Sequence, residues 1–208
     1  MNVGMASDSG IIKWGDAPLY HGTPLSFSAL KPSPDSGILW LASMRGIAGI
    51  FAAFRAHWKA TSANVVWEVG LKPGTRVVDI GDTSGSIARE LKRRFEASAW
   101  RNLYGDVPLP DETWATQYAD FGLVESQPWV RGFLRSKKVE CVIVEDAVNG
   151  VRFRSFGLLR MASIATATPV TLDELGIAEA LDVRERRTTP VGYAKSRRAS
   201  RNGVRRSR

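Results

Sequence analysis

Apolar positions along this chain of 208 residues follow two rhythms. Short alternating or continuous apolar runs read as strands: Pro18 to His21, "ILWLAS" after Gly37, "NVVWEVGL", "RVVDI" and "VECVIVE". Recurrence at three- and four-residue spacing marks helices. Ile47, Phe51, Phe54 and Trp58 predict one from about Met44 to Lys59, and Ile87, Leu91 and Phe95 predict another on "SIARELKRRFEAS". "PWVRGFLRSKK" reads as a short helix, and "VRFRSFGLLRMASI" as one or two strands. The stretch from Trp100 to Gln127, with its prolines and acids, reads as irregular or weakly helical. "KPGT" joins two of the strands as a tight turn, so a hairpin is expected there. Strands outnumber helices and sit at both ends, which predicts an α+β fold.

Composition changes this picture only at the C-terminus. From Arg184 to Arg208 the chain carries ten Lys and Arg against one acid, Glu185, while the preceding 183 residues hold 19 bases and 20 acids. All of the net charge of +8 therefore belongs to the last segment. That segment has too few apolar residues to offset the entropy of ordering, so a folded domain over 1–183 and a disordered basic tail over 184–208 are expected. Such a tail suits contact with nucleic acid phosphates. No apolar run reaches membrane-spanning length, and "MNVGMASDSG" lacks the features of a secretion signal. Cys141 is the single cysteine, which excludes an internal disulfide and a cysteine-based zinc site and suits a reducing, cytoplasmic setting. No metal is expected.

Two stretches carry candidate chemistry. "KPGTRVVDIGDTSGSIAREL" resembles the first glycine motif of nucleotide-dependent methyltransferases, in which a strand ends in an acid, turns on glycines and starts a helix. Asp82 stands where a glycine is usual, and no second acid-ended strand follows about twenty residues later. A hairpin followed by a capped helix explains the stretch as well. The second stretch is discontinuous: "YHGT" with His21, "GILWLAS" with Trp40, "AGIFAAF" with Phe51, and "VECVIVED" with Glu140.

In order and spacing these stretches resemble the His–aromatic–Glu branch of the ADP-ribosyltransferase superfamily, which includes diphtheria-toxin-like and poly(ADP-ribose)-polymerase-like enzymes. The small phage- and toxin-associated members are the most similar in element order. The resemblance covers roughly residues 19–164. It implies a split β-sheet core with flanking helices, NAD as substrate, and transfer of ADP-ribose (a pentosyl group) to a macromolecular acceptor, protein or nucleic acid. For a toxin it also implies a neutralising antitoxin or immunity partner.

What the resemblance implies for the residues follows from the chemistry. Breaking the nicotinamide–ribose bond leaves an oxocarbenium-like sugar, so the site needs a flat clamp and a negative charge. Glu140 is implied as the catalytic acid, stabilising that cation. His21 is implied to bind the adenosine ribose, and the backbone of Gly22 the carboxamide, the missing side chain allowing close approach. Trp40 and Phe51 sandwich the pyridinium, and Thr23 and Ser43 serve as supporting donors. Glu145 and Asp146 close the same strand as Glu140 and compete for its role. Two departures stand out: the family has tyrosine at both aromatic positions, and a helix serine is here Ala48. An RNA 2′-phosphotransferase shares the expected fold but needs several arginines, for which Arg45 and Arg55 are the nearest candidates. A non-catalytic nucleic-acid-binding protein acting through the tail is the third reading.

Overall fold

The computed structural model describes residues 9–23, 30–59, 65–148 and 151–170. The basic segment 184–208 and the domain boundary before it lie outside the described residues. Eight strands form one mixed sheet: β1 (Ile11–Lys13), β2 (Leu19–Thr23), β3 (Leu39–Ala42), β4 (Val65–Leu71), β5 (Arg76–Asp79), β6 (Cys141–Val148), β7 (Val151–Leu158) and β8 (Ile164–Val170). Their order across the sheet is β1-β5-β6-β7-β3-β2-β4-β8. Only β5 and β6 pair in parallel; every other neighbouring pair is antiparallel. The α+β expectation therefore holds.

The "KPGT" turn corrects one expectation. β4 and β5 are not a hairpin: β4 pairs with β2 and β8, and β5 with β1 and β6. Only Lys72 to Thr75 join them, with Gly74 at φ +81°. In a flat sheet five strand spacings, about 24 Å, would separate β4 from β5. Five Cα steps reach at most about 19 Å. The sheet must therefore coil so that its two ends approach each other. The enclosed space is filled by Leu19, Leu41, Val69, Leu71, Val77, Ile143, Phe156 and Leu158, drawn from both halves.

Helices cover the other face. α1 (Arg45–Lys59), as its apolar periodicity predicts, lies over β2, β3 and β4 and packs Ile47, Ala48 and Ile50 against Ala42, Val66 and Phe153. α2 (Ser86–Phe95) runs through a wider π-helical turn, Glu96–Trp100, into α3 (Arg101–Tyr104). After α4 (Asp111–Thr113) come α5 (Phe121–Ser126) and α6 (Pro128–Ser136). These bury Leu91, Trp114, Val124 and Leu134 against Val78, Ile80, Val142 and Val144. Trp114 is wholly enclosed, and its indole N–H donates to the Ile80 carbonyl at 2.8 Å, so the polar end of the ring is satisfied. Trp67 and Trp100 are likewise buried packing residues, whereas Trp129 is exposed. No helix among the described residues is long and apolar enough to cross a membrane.

Candidate active site

A cavity of about 120 Å³ opens where β2, β3 and β7 meet the inner face of α1 and the start of α5. Its lining includes His21, Gly22, Trp40 and Phe51, so four scattered residues singled out in the sequence come together. Tyr20, Ala48, Phe121, Asp146 and Ser155 complete most of the remaining wall. The ladder between β2 and β3 thins here to the pair Tyr20 and Ala42, whereas β2 pairs with β4 along its whole length. In place of a backbone bond, the His21 ring reaches across, its Nδ1 lying 2.8 Å from the Trp40 carbonyl oxygen. A carbonyl only accepts, so Nδ1 carries a hydrogen.

Gly22 lines the cavity and lies directly against α1. A Cβ there would stand 1.8 Å from the Ala48 carbonyl oxygen and 2.9 Å from the Ala52 nitrogen. The missing side chain admits the backbone of α1. Ala48, where the resemblance calls for a serine, lines the cavity and is itself the helix residue whose carbonyl meets Gly22. Thr23 is buried at the end of β2, and Ser43 is exposed in the turn between β3 and α1; neither lines the cavity.

Glu140 is not brought to the cavity either. It precedes β6, where its Oε2 accepts from the Arg76 backbone N–H at 3.0 Å and its Oε1 from the Ser163 hydroxyl at 2.9 Å. Arg160 stands 3.7 Å from the same Oε1. These contacts tie together the start of β5, the start of β6 and the turn before β8. The carboxylate in the cavity is Asp146, six residues and so about 20 Å further along the strand. Ser155 on β7, itself buried, donates to Asp146 Oδ2 at 3.4 Å. Glu145 points to the opposite side of the sheet, where it is exposed and pairs with Arg152 at 3.2 Å. Beside the cavity, burial and then the neighbouring Glu68 carboxylate push the Tyr20 phenol above its ordinary range, so it stays protonated.

Three residues that shape the site carry no assignment from the sequence. A Cβ on Gly157 would lie 2.9 Å from the benzo edge of Trp40, so this glycine lets the indole lie against β7. Phe121 packs against Trp40 with ring centres 4.8 Å apart. Glu125, one turn later on α5, accepts the Trp40 indole N–H at 2.7 Å. The helix that supplies both was readable: Asp120 caps it by accepting the Leu123 N–H at 2.8 Å, an Asp immediately before an apolar cluster.

The methyltransferase-like turn is closed to a ligand. Gly85 meets Gly10 so closely that a Cβ would stand 2.6 Å from its Cα, and the Ile87 N–H at the start of α2 bonds the Ser9 carbonyl at 3.4 Å. Asp82 turns inward on its own loop, accepting the Ser84 N–H at 3.0 Å. Among the described residues no cluster of three or more His, Cys, Asp or Glu is arranged to hold a metal ion.

No protein-family model matches the chain, and no curated protein does. Among solved structures, a chain of the M. tuberculosis MbcT–MbcA toxin–antitoxin complex is similar at 15% identity and a TM-score of 0.41, covering 87% of this chain and 93% of that one.

Proposed function

We propose that the cavity binds the nicotinamide end of NAD and cleaves its glycosidic bond, passing ADP-ribose to a macromolecular acceptor. The observation that carries this reading is the convergence of an imidazole, two aromatic side chains and one carboxylate on a single ring-sized cavity: His21, Trp40, Phe51 and Asp146. Trp40 and Phe51 offer aromatic surface to a flat cation. Asp146 replaces Glu140 as the acid that faces positive charge developing on the ribose, and Ser155 orients it. His21, fixed by the Trp40 carbonyl, stands in the cavity wall on the side proposed to face a ribose. A toxin role with a neutralising protein partner is the setting proposed for this chemistry. A phosphotransferase reading gains little from the site: among the described residues no Lys or Arg lines the cavity, although Arg45 is near enough to act on the Tyr20 phenol.

The test is incubation of the full chain with NAD labelled in its adenylate half and a cell extract, followed by separate nuclease and protease digestion. Label in a macromolecule, or free ADP-ribose in the absence of an acceptor, is expected. Asp146→Asn lowers the rate by about 100-fold, the size of a lost electrostatic contact to the transition state, while Glu140→Gln leaves it within about twofold per folded molecule. An unchanged rate in Asp146→Asn removes the aspartate from the mechanism; no NAD turnover under any condition removes the enzyme reading.

A further inference from the structure

The cavity has a charge signature that its lining residues alone understate. Of those residues only Asp146 is a carboxylate, and none is Lys or Arg. A second carboxylate stands directly behind the wall. Glu125 Oε2 accepts the Trp40 indole N–H at 2.7 Å, and its Oε1 accepts the Ser36 hydroxyl at 2.9 Å. Ser36 is buried, so the carboxylate is held by two donors in a fixed place. Arg131, on α6, donates to the backbone carbonyls of Val124 and Glu125. Gly157 and Phe121 fix the ring itself.

An anion hydrogen-bonded to the N–H of an indole pushes electron density onto the ring and makes its face more negative. That face attracts a cation more strongly, because the attraction is electrostatic and grows where water is excluded. A neutral aromatic ligand gains nothing comparable. We infer that Glu125 is a specificity-determining residue: through Trp40 it sets the cavity to select a positively charged heteroaromatic ring, a pyridinium, over the neutral ring of the same shape. This rests on the NAD reading of the cavity and names the charge state that it accepts. It also gives a reason for tryptophan at position 40, since a phenol ring there has no N–H at this place for the carboxylate to hold.

The experiment compares two probes that differ in one methyl group and one charge, 1-methylnicotinamide and nicotinamide, by calorimetric titration and quenching of tryptophan fluorescence. The intact protein is expected to favour the cation by about 10-fold, the range of a partly desolvated cation–π contact. Glu125→Gln keeps an oxygen to accept the indole N–H but removes the charge. It is expected to cut the preference at least threefold with the melting temperature unchanged. A preference undiminished in Glu125→Gln, with the cation still bound, overturns the role of Glu125 and leaves the NAD reading standing. Absence of binding by either probe, and by NAD, overturns the NAD reading itself. Should Glu125→Gln fail to fold, Trp40→Phe serves instead: retention of the full preference without an N–H at position 40 overturns the inference.

Discussion

The two ends of β6 carry carboxylates on the same face of the sheet with opposite fates. Glu140, at the start, is tied by a backbone N–H, a hydroxyl and a guanidinium into a knot of three elements. Asp146, near the end, looks into a cavity walled by aromatic rings, with Ser155 beside it. Glu140 is tied down by three groups of the fold, whereas Asp146 forms part of the cavity wall. The difference also separates two kinds of glycine and aromatic support. The cavity end depends on close backbone approach at Gly22 and on Gly157 making room for Trp40, whereas the Glu140 end is held by hydrogen bonds and an ion pair.

The largest effect expected anywhere in this comparison is at the cavity end. In Gly22→Ala the new methyl meets the backbone of Ala48 and Ala52, not the tip of a flexible side chain, so α1 must move off the sheet. A loss of at least about 3 kcal/mol is expected, at the upper end of overpacking costs. Urea denaturation measures it. A variant within about 1 kcal/mol of the parent shows that helix and strand do not approach as closely as the structure has them.

The Glu140 end gives a smaller loss with a different signature. Glu140→Ala leaves the Arg76 N–H and the Ser163 hydroxyl without their acceptor. About 1–2 kcal/mol of stability is expected to go, the penalty for orphaning partly buried donors. NAD turnover per folded molecule is expected to stay at the parental level below the shifted melting point. A large fall in turnover with no loss of stability returns Glu140 to the reaction.

The sequence separates these two acids poorly, and the reason is physical. Strand side chains alternate with period two, so residues 140, 142, 144 and 146 share one face. Alternation removes Glu145, which does face away toward Arg152, but cannot choose between Glu140 and Asp146. That choice depends on which end of the strand lies beside β3 and α1, a property of the whole sheet. Local signals placed part of the cavity wall: the helical spacing of Ile47 and Phe51 fixes which side of α1 faces inward, and "YHGT" and "ILWLAS" each form a strand. The coil of the sheet has no local signal, because "KPGT" turns a hairpin or bridges two distant strands with equal ease. α5 was missed for another reason. Its apolar run is only one turn long and is hidden among prolines and acids, although the Asp120 cap marks its start.

A third carboxylate completes the comparison with the smallest effect. Asp79, at the end of β5, is neither knotted like Glu140 nor set in the cavity like Asp146. Its Oδ1 accepts the Gly81 N–H at 3.0 Å, and the exposed Arg154 stands 3.7 Å from its Oδ2. Burial dominates and raises its carboxyl above the ordinary range, ahead of the lowering effects of the Gly81 N–H and of Arg154. The folded chain thus holds this proton more tightly than the unfolded chain does. The sign follows: the group's contribution to stability is full below the unfolded value of about 3.9 and is lost as pH rises through the raised folded value. Asp79→Asn keeps the acceptor for Gly81 and cannot ionise. It is expected to be more stable than the parent at pH 7 by less than about 1 kcal/mol, because the lost surface ion pair is itself weak. The gain is expected to shrink toward zero by pH 4 in urea melts. A loss of stability at pH 7 means that Arg154 outweighs burial, and that this acid belongs with Glu140.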